Sequence, residues 1–121
     1  MIFHRGKNPY KGYDFSIKAI EIARKRKTDF LFICESVYEI DYKNSHFFVC
    51  LETFEHVNDY KVINQLGLGK EIVFTVPDFD HDSHVRYFHS VNHVVERYKN
   101  VIKFESVVKF QKWFICKGTT I

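Results

Sequence analysis

The residues whose types and spacing invite chemistry first are Glu52, Glu55 and His56. They follow a continuous apolar run from Phe47 to Leu51, and the change from apolar to ionisable is abrupt. Two carboxylates and an imidazole this close together can take up a proton, hold a cation, or do both. A short apolar run bounded by polar residues suits a strand buried on both faces, as in a parallel sheet. In open parallel sheets the chemistry sits just past the carboxyl ends of the strands, where these three residues fall. The other reading is that they start the following helix and face water; spacing alone leaves both open.

The chain that must position them has 121 residues, which allows at most one domain with a real core. Its aromatic share of 17%, mostly Phe and Tyr, argues for a packed globule and against disorder. A net charge of +3 is mild and does not point to nucleic acid, whose binders concentrate basic charge on one face. The densest basic run, Arg24 to Lys27, reads as a helix C-terminus, where cations complement the macrodipole. Cys34, Cys50 and Cys116 form no Cys-x-x-Cys pair, so a zinc knuckle is not indicated. Each sits in an apolar run, where a free thiol behaves as a small hydrophobe, and a reduced, cytoplasmic setting fits. The first residues hold no apolar stretch of signal-peptide length, and no segment approaches a membrane span.

Along the chain, Tyr13 to Phe15 reads as the end of a short strand and Ser16 as the cap of a helix from Ile17 to Lys27. Ile17, Ile20 and Ala23 mark one side of that helix, with Ala19 and Ile22 widening the stripe. Phe30 to Cys34 is a second apolar run, ending in Glu35-Ser36, and Phe47 to Leu51 the third. Asn58 or Asp59 caps a helix to Leu66, which Gly67 or Gly69 stops. Ile72 to Val76 is a further strand, ended by Pro77. Residues 78–89 lack a period and read as a loop, and Ser90 caps a helix carrying Val91, Val94, Val95 and Tyr98. The β-rich end, from Ile102 to Cys116, suggests an antiparallel hairpin. This alternation predicts an α/β sheet with helices on its faces, in which the runs at 30–34, 47–51 and 72–76 are the most buried strands.

Four segments taken in order carry a resemblance. Tyr13-Asp14-Phe15-Ser16, Leu51-Glu52-Thr53-Phe54-Glu55-His56-Val57, Thr75-Val76-Pro77-Asp78-Phe79 and Ser83-His84-Val85-Arg86-Tyr87-Phe88 are similar to class I S-adenosylmethionine-dependent methyltransferases. The resemblance covers nearly the whole chain. It implies a Rossmann-like sheet, mainly parallel, with a C-terminal antiparallel hairpin. It implies that Asp14 binds the cofactor's ribose hydroxyls, that Glu35 and Ser36 lie against the adenine, and that Leu51 and Glu52 stand beside the methyl donor. Glu35 departs from the Asp usual at its position.

The larger departure is at the front. The family's glycine-rich turn and the central strand before it have no match, because counting back from Asp14 leaves no room for them, and Gly67-Leu68-Gly69 falls on the wrong side of its strand. The resemblance therefore implies a single, incomplete methyltransferase domain over 1–121, its first central strand missing and its grip on S-adenosylmethionine weak or lost. Strand edges left open by the gap predict a homodimer or another protein partner.

Two functions are consistent with this. One is methyl transfer to an oxygen or nitrogen of a small molecule or an RNA, with Glu52 or His56 as base. The other is a non-catalytic, degenerate module that dimerises or binds a partner. Glu52, Glu55 and His56, with His81 or His84 downstream, also resemble the divalent-cation site of small-RNA 2′-O-methyltransferases of the Hen1 type. If their turn is helical they share a face. Such a set suits manganese, magnesium or zinc.

Overall fold

In the computed structural model of the chain, which describes residues 2–5, 10–26 and 30–121, seven strands form one sheet. In chain order the elements are β1 (Ile2–Arg5), β2 (Lys11–Asp14), α1 (Ile17–Arg26), β3 (Leu31–Cys34), β4 (Phe47–Cys50), α2 (Asp59–Leu66), β5 (Glu71–Pro77), α3 (Val91–Tyr98), β6 (Ile102–Phe110) and β7 (Trp113–Thr120). Across the sheet they lie in the order β3-β2-β1-β4-β5-β7-β6. β2 pairs parallel with β3, and β4 with β5, while β7 is antiparallel to both β5 and β6. Thus β2, β3, β4, β5 and β6 point one way, and β1 and β7 the other.

β1 corrects the expectation of a missing central strand. It occupies the slot between β2 and β4 and pairs antiparallel with both, Ile2 opposite Tyr13 on one side and opposite Cys50 on the other. The open N–H and C=O rows of β2 and β4 need a partner, and a strand of either direction supplies one. With both edges paired, the open-edge argument for a homodimer no longer holds. Because β1 runs from the level of Cys50 to that of Phe47, its carboxyl end lies at the amino end of β4.

The helices start where the capping residues direct. Ser16 Oγ accepts from Ala19 N (3.3 Å), Asn58 Oδ1 from Lys61 N (3.1 Å) and Ser90 Oγ from His93 N (3.1 Å). Gly67, at φ 91°, ends α2 in a conformation that a side chain would strain. α1 ends at Arg26; the expected end at Lys27 lies outside the described residues. Of its apolar stripe only Ile20 is buried, and Ile17 and Ile22 are exposed.

The core lies on one face, where Phe48 and Cys50 of β4, Ile72, Phe74 and Val76 of β5, and Phe114 and Cys116 of β7 meet Val62, Ile63 and Leu66 of α2 and Val94 and Tyr98 of α3. Phe54 packs against Phe74 and Tyr98 at ring distances of 5.1 and 6.2 Å. Burying each such ring contributes roughly 1.5–3 kcal/mol over leaving it in water. Phe47 and Val49, which alternate to the other face, are only half-buried.

β3 departs further from the expected burial: it is the edge strand, and Leu31 and Cys34 are exposed. Cys50 and Cys116 are buried, and burial pushes each thiol up to about 12. Among the described residues no helix is long and apolar enough to cross a membrane.

Candidate functional site

The shared direction of β2, β3 and β4 brings their carboxyl ends to one edge of the sheet, and a cleft of about 840 Å³ opens there. Asp14 and Phe15 reach it from β2, Glu35 and Ser36 from β3, and Glu52 and His56 from the turn after β4. Tyr13, Val37, Tyr38 and Ile40 give it an apolar wall. Five of the sequence-derived candidates thus line one cavity, Asp14, Glu35, Ser36, Glu52 and His56, and Ser83, next to His84, completes its rim. Leu51 is exposed and does not line it.

Asp14 has two tasks at this edge. Its Oδ1 accepts from Ser16 N at 2.8 Å, so the carboxylate shapes the turn into α1 as well as facing the cleft. Its carbonyl accepts from Glu35 N at 3.0 Å, which holds the ends of β2 and β3 together. Ser36 Oγ accepts from Tyr38 N at 3.3 Å in the loop that forms the apolar wall.

The turn after β4 is not helical, and this separates residues that spacing placed on one face. Glu52 sits at φ 49°, a left-handed conformation uncommon for a residue with a Cβ, and its N–H donates to Thr75 Oγ1 at 3.0 Å. Glu52 therefore faces the cleft. Glu55 turns inward and is fully buried, with no hydrogen-bond partner on either carboxylate oxygen. Burial pushes its carboxyl up to about 7, opposed by its own backbone N–H and by His56, whose Nε2 lies 3.9 Å from Oε1.

His56 and His84 meet edge to face, ring centres 5.0 Å apart. One ligand atom from each of Glu55, His56 and His84 lies within 4.8 Å of the others, a grouping that leaves Glu52 out. His81 stands to the side, its Nδ1 accepting from Ser83 N at 3.1 Å.

Spacing gave no sign of what holds this turn. Arg86 reaches in and donates through Nη1 to the carbonyls of Phe54 and Val57, the latter at 2.7 Å, spanning Glu55 and His56. Val85 N donates to Glu55 O at 2.7 Å. Arg86 Nε lies 3.4 Å from Asp59 Oδ2, and Asp59 also accepts from Arg97 Nε (3.1 Å), Arg97 Nη2 (2.9 Å) and Tyr98 Oη (2.8 Å). Burial pushes the Asp59 carboxyl upward, but the hydrogen bonds from Arg97 and Tyr98 and the charges of Arg86 and Arg97 outweigh it, so it sits below the usual carboxylate range. These partners lie on separate elements, and no local motif announces them.

No model of a known protein family matches the sequence, and no curated protein does. Solved structures do. The N-methyltransferase NodS from Bradyrhizobium japonicum WM9, in complex with S-adenosyl-L-homocysteine, superposes with a TM-score of 0.67 at 14% identity, over 91% of this chain and 65% of its own. The 1,6-didemethyltoxoflavin-N1-methyltransferase of Burkholderia thailandensis gives a TM-score of 0.67 at 11% identity, over 91% of this chain and 60% of its own. Magnesium protoporphyrin IX methyltransferase (ChlM) from Synechocystis PCC 6803, with bound SAM, gives 0.64 at 14% identity, over 90% and 58%. The chain thus spans 58% to 65% of the length of these three. Its fold is that of the class I S-adenosylmethionine-dependent methyltransferases.

Proposed function

We propose that the cleft at the carboxyl ends of β2, β3 and β4 is a site for S-adenosylmethionine-dependent methyl transfer to an oxygen or nitrogen acceptor. The observation that carries this reading is the gathering of Asp14, Glu35, Ser36, Glu52 and His56 around one cavity on this fold. The solved structures that this chain is similar to include one with S-adenosyl-L-homocysteine and one with SAM.

In this reading Asp14 accepts the ribose hydroxyls and Glu35 and Ser36 edge the adenine against the wall of Val37, Tyr38 and Ile40. The cofactor, when bound, supplies an electrophilic methyl group on sulfur. The chain's own part is to align an acceptor and take its proton as the acceptor's lone pair displaces sulfur from the methyl carbon. Glu52 and His56 are the bases. His56 Nδ1 lies 2.9 Å from the Ser83 carbonyl, an oxygen that can only accept, so Nδ1 carries the proton and Nε2 is the basic atom.

The direction of β1 bears on cofactor affinity. β1 ends at the level of Phe47, at the amino end of β4 and opposite the cleft. Gly67 and Gly69 close α2 ahead of β5, also away from the cleft. Contacts to the adenosine half therefore dominate. Isothermal titration with S-adenosylmethionine and with adenosine tests this: both bind with affinities within about tenfold of one another, and Asp14→Ala weakens both at least about tenfold, roughly the worth of a charged hydrogen bond. Absence of binding by either ligand overturns the methyltransferase reading in favour of the non-catalytic module. That alternative rests on the same reversed strand.

A further inference from the structure

We propose that Tyr38 is a positioning residue that ties the apolar wall of the cleft to the turn carrying His56, so that a ligand seated against Tyr38 is felt at His56. The inference rests on the reading of the cleft as a site for the adenosine half of the cofactor. It adds a link between that half and the base.

The link is one peptide group. Tyr38 lines the cleft, and its Oη accepts from Asn58 N at 2.7 Å. The carbonyl of the same peptide, Val57 O, accepts from Arg86 Nη1 at 2.7 Å. The peptide is trans, so its C=O and N–H point in opposite directions. Two side chains therefore hold one plane from opposite sides. Tyr38 comes from the loop after β3, and Arg86 from the loop after β5. Fixing this plane fixes the exit of the turn. His56 lies one residue before it, with its own N–H bonded to Thr53 O at 3.0 Å. Only Val57, which also lines the cleft, separates the base from the held plane.

The sequence of α2 shows why a distant side chain is needed. Asn58 is the N-cap, and its Oδ1 accepts from Lys61 N. In a capping box the residue at Lys61's position is Glu or Gln, whose side chain reaches back to the N-cap N–H. A lysine cannot accept a hydrogen bond. Lys61 Nζ instead lies 4.7 Å from the centre of the Tyr38 ring, and the Tyr38 hydroxyl takes the N–H that a local residue would have taken. Gln65 Nε2 donates to Tyr38 O at 2.9 Å and holds the same residue from further along α2. The start of α2 is thus fastened to the cleft wall and not to its own first turn.

The phenol also has a hydrogen to give. Its oxygen accepts from Asn58 N, and among the described residues none accepts its proton. That proton is open to water or to a ring nitrogen of a bound base. Donating it polarises the oxygen and strengthens the bond from Asn58 N–H, as in any chain of hydrogen bonds.

Nuclear magnetic resonance of the full chain tests this, with adenosine as the probe. Three signals are read: adenosine affinity, exchange of the Asn58 amide and the His56 ring resonances. In the wild type, saturating adenosine shifts the His56 resonances. Tyr38→Phe keeps the ring but removes the acceptor. The Asn58 amide then exchanges at least about tenfold faster, adenosine still binds, and the His56 response is lost. Adding Lys61→Gln to Tyr38→Phe supplies a local acceptor. Amide protection returns in the double variant and the His56 response does not. Gln65→Ala, which leaves the Oη bond in place, behaves as the wild type. A His56 response that survives Tyr38→Phe overturns the proposal. So does a response that Lys61→Gln restores, since Tyr38 would then be a helix cap alone. Adenosine that binds the wild type without moving His56 overturns the coupling only. Adenosine that does not bind overturns the reading of the cleft and the coupling with it.

Discussion

Among the described residues two carboxylates are buried, four positions apart, and they are treated in opposite ways. Asp59, at the start of α2, accepts from Arg97 twice and from Tyr98, with Arg86 close by. Glu55, in the turn just before, has no hydrogen bond from another residue, only the His56 ring with Nε2 3.9 Å from Oε1. The Asp59 carboxyl is held below its ordinary range and the Glu55 carboxyl is raised to about 7. Equal burial therefore does not mean an equal role. Asp59 is part of the scaffold: it ties α2 to α3 and anchors the arginine that clamps the turn. Glu55 is what the scaffold presents.

The largest expected effect comes from removing the satisfied member. Asp59→Ala leaves two arginines and a tyrosine hydroxyl without their acceptor, and breaking a buried ion pair from one side costs about 3–5 kcal/mol. Urea unfolding followed by circular dichroism measures it. The pH dependence has a definite sign. The folded-state pKa of Asp59 is lowered, so its contribution is present above the unfolded value of 3.8 and is lost as pH falls through the folded pKa. Acid titration of the wild type therefore shows a stability loss beginning below about pH 4, and Asp59→Asn flattens that limb. An Asp59→Ala variant as stable as wild type would erase the contrast between the two carboxylates.

Next in size is the clamp. Arg86→Met keeps the apolar stem but withdraws the donor from the Phe54 and Val57 carbonyls. Leaving part-buried acceptors unsatisfied costs about 2–3 kcal/mol. A double-mutant cycle with Asp59→Ala sharpens the comparison. The two losses are expected to be non-additive by at least about 0.5 kcal/mol, because Arg86 and Asp59 share one network. Strict additivity would mean that the clamp works independently of its anchor.

What was legible in the sequence follows the range of the interactions involved. Ser16, Asn58, Ser90 and Gly67 act on backbone within a few residues, and each stands where the residue type indicated. The convergence of Asp14, Glu35, Glu52 and His56 was legible because each follows an apolar run and the strands share a direction. β1 was not legible. Ile2–Arg5 is too short to show a period, and pairing across a sheet leaves no local mark. The Glu52–His56 geometry was misjudged because helical spacing was assumed for a turn that places Glu52 at φ 49°. Arg86, Arg97 and Tyr98 reach Asp59 or the turn from 27 to 39 positions away, a range at which residue type alone says little.

Asn58→Ala is a smaller test on the same stretch of chain. It removes the cap that accepts from Lys61 N and should cost about 1 kcal/mol. Because Asn58 stands between Glu55 and Asp59, it sets the scale for an ordinary local hydrogen bond at this place. A loss as large as that of Asp59→Ala would show that the whole turn unfolds with its cap.

The smallest effect is expected at Glu55, and its size decides what kind of residue this is. Glu55→Gln keeps nearly the same shape and volume. It breaks no hydrogen bond to another residue. It removes a charge that the interior disfavours, and it adds an amide N–H2 that must find an acceptor in the same space. These two changes oppose each other, so the variant's stability should lie within about 1 kcal/mol of wild type. The measurement is the same urea titration used for Asp59, at the same pH, so the two carboxylates are compared directly. A loss of about 3 kcal/mol or more would mean that Glu55 has a structural partner and belongs to the scaffold, as Asp59 does. A near-zero change means that Glu55 is buried without stabilising the fold, unlike Asp59.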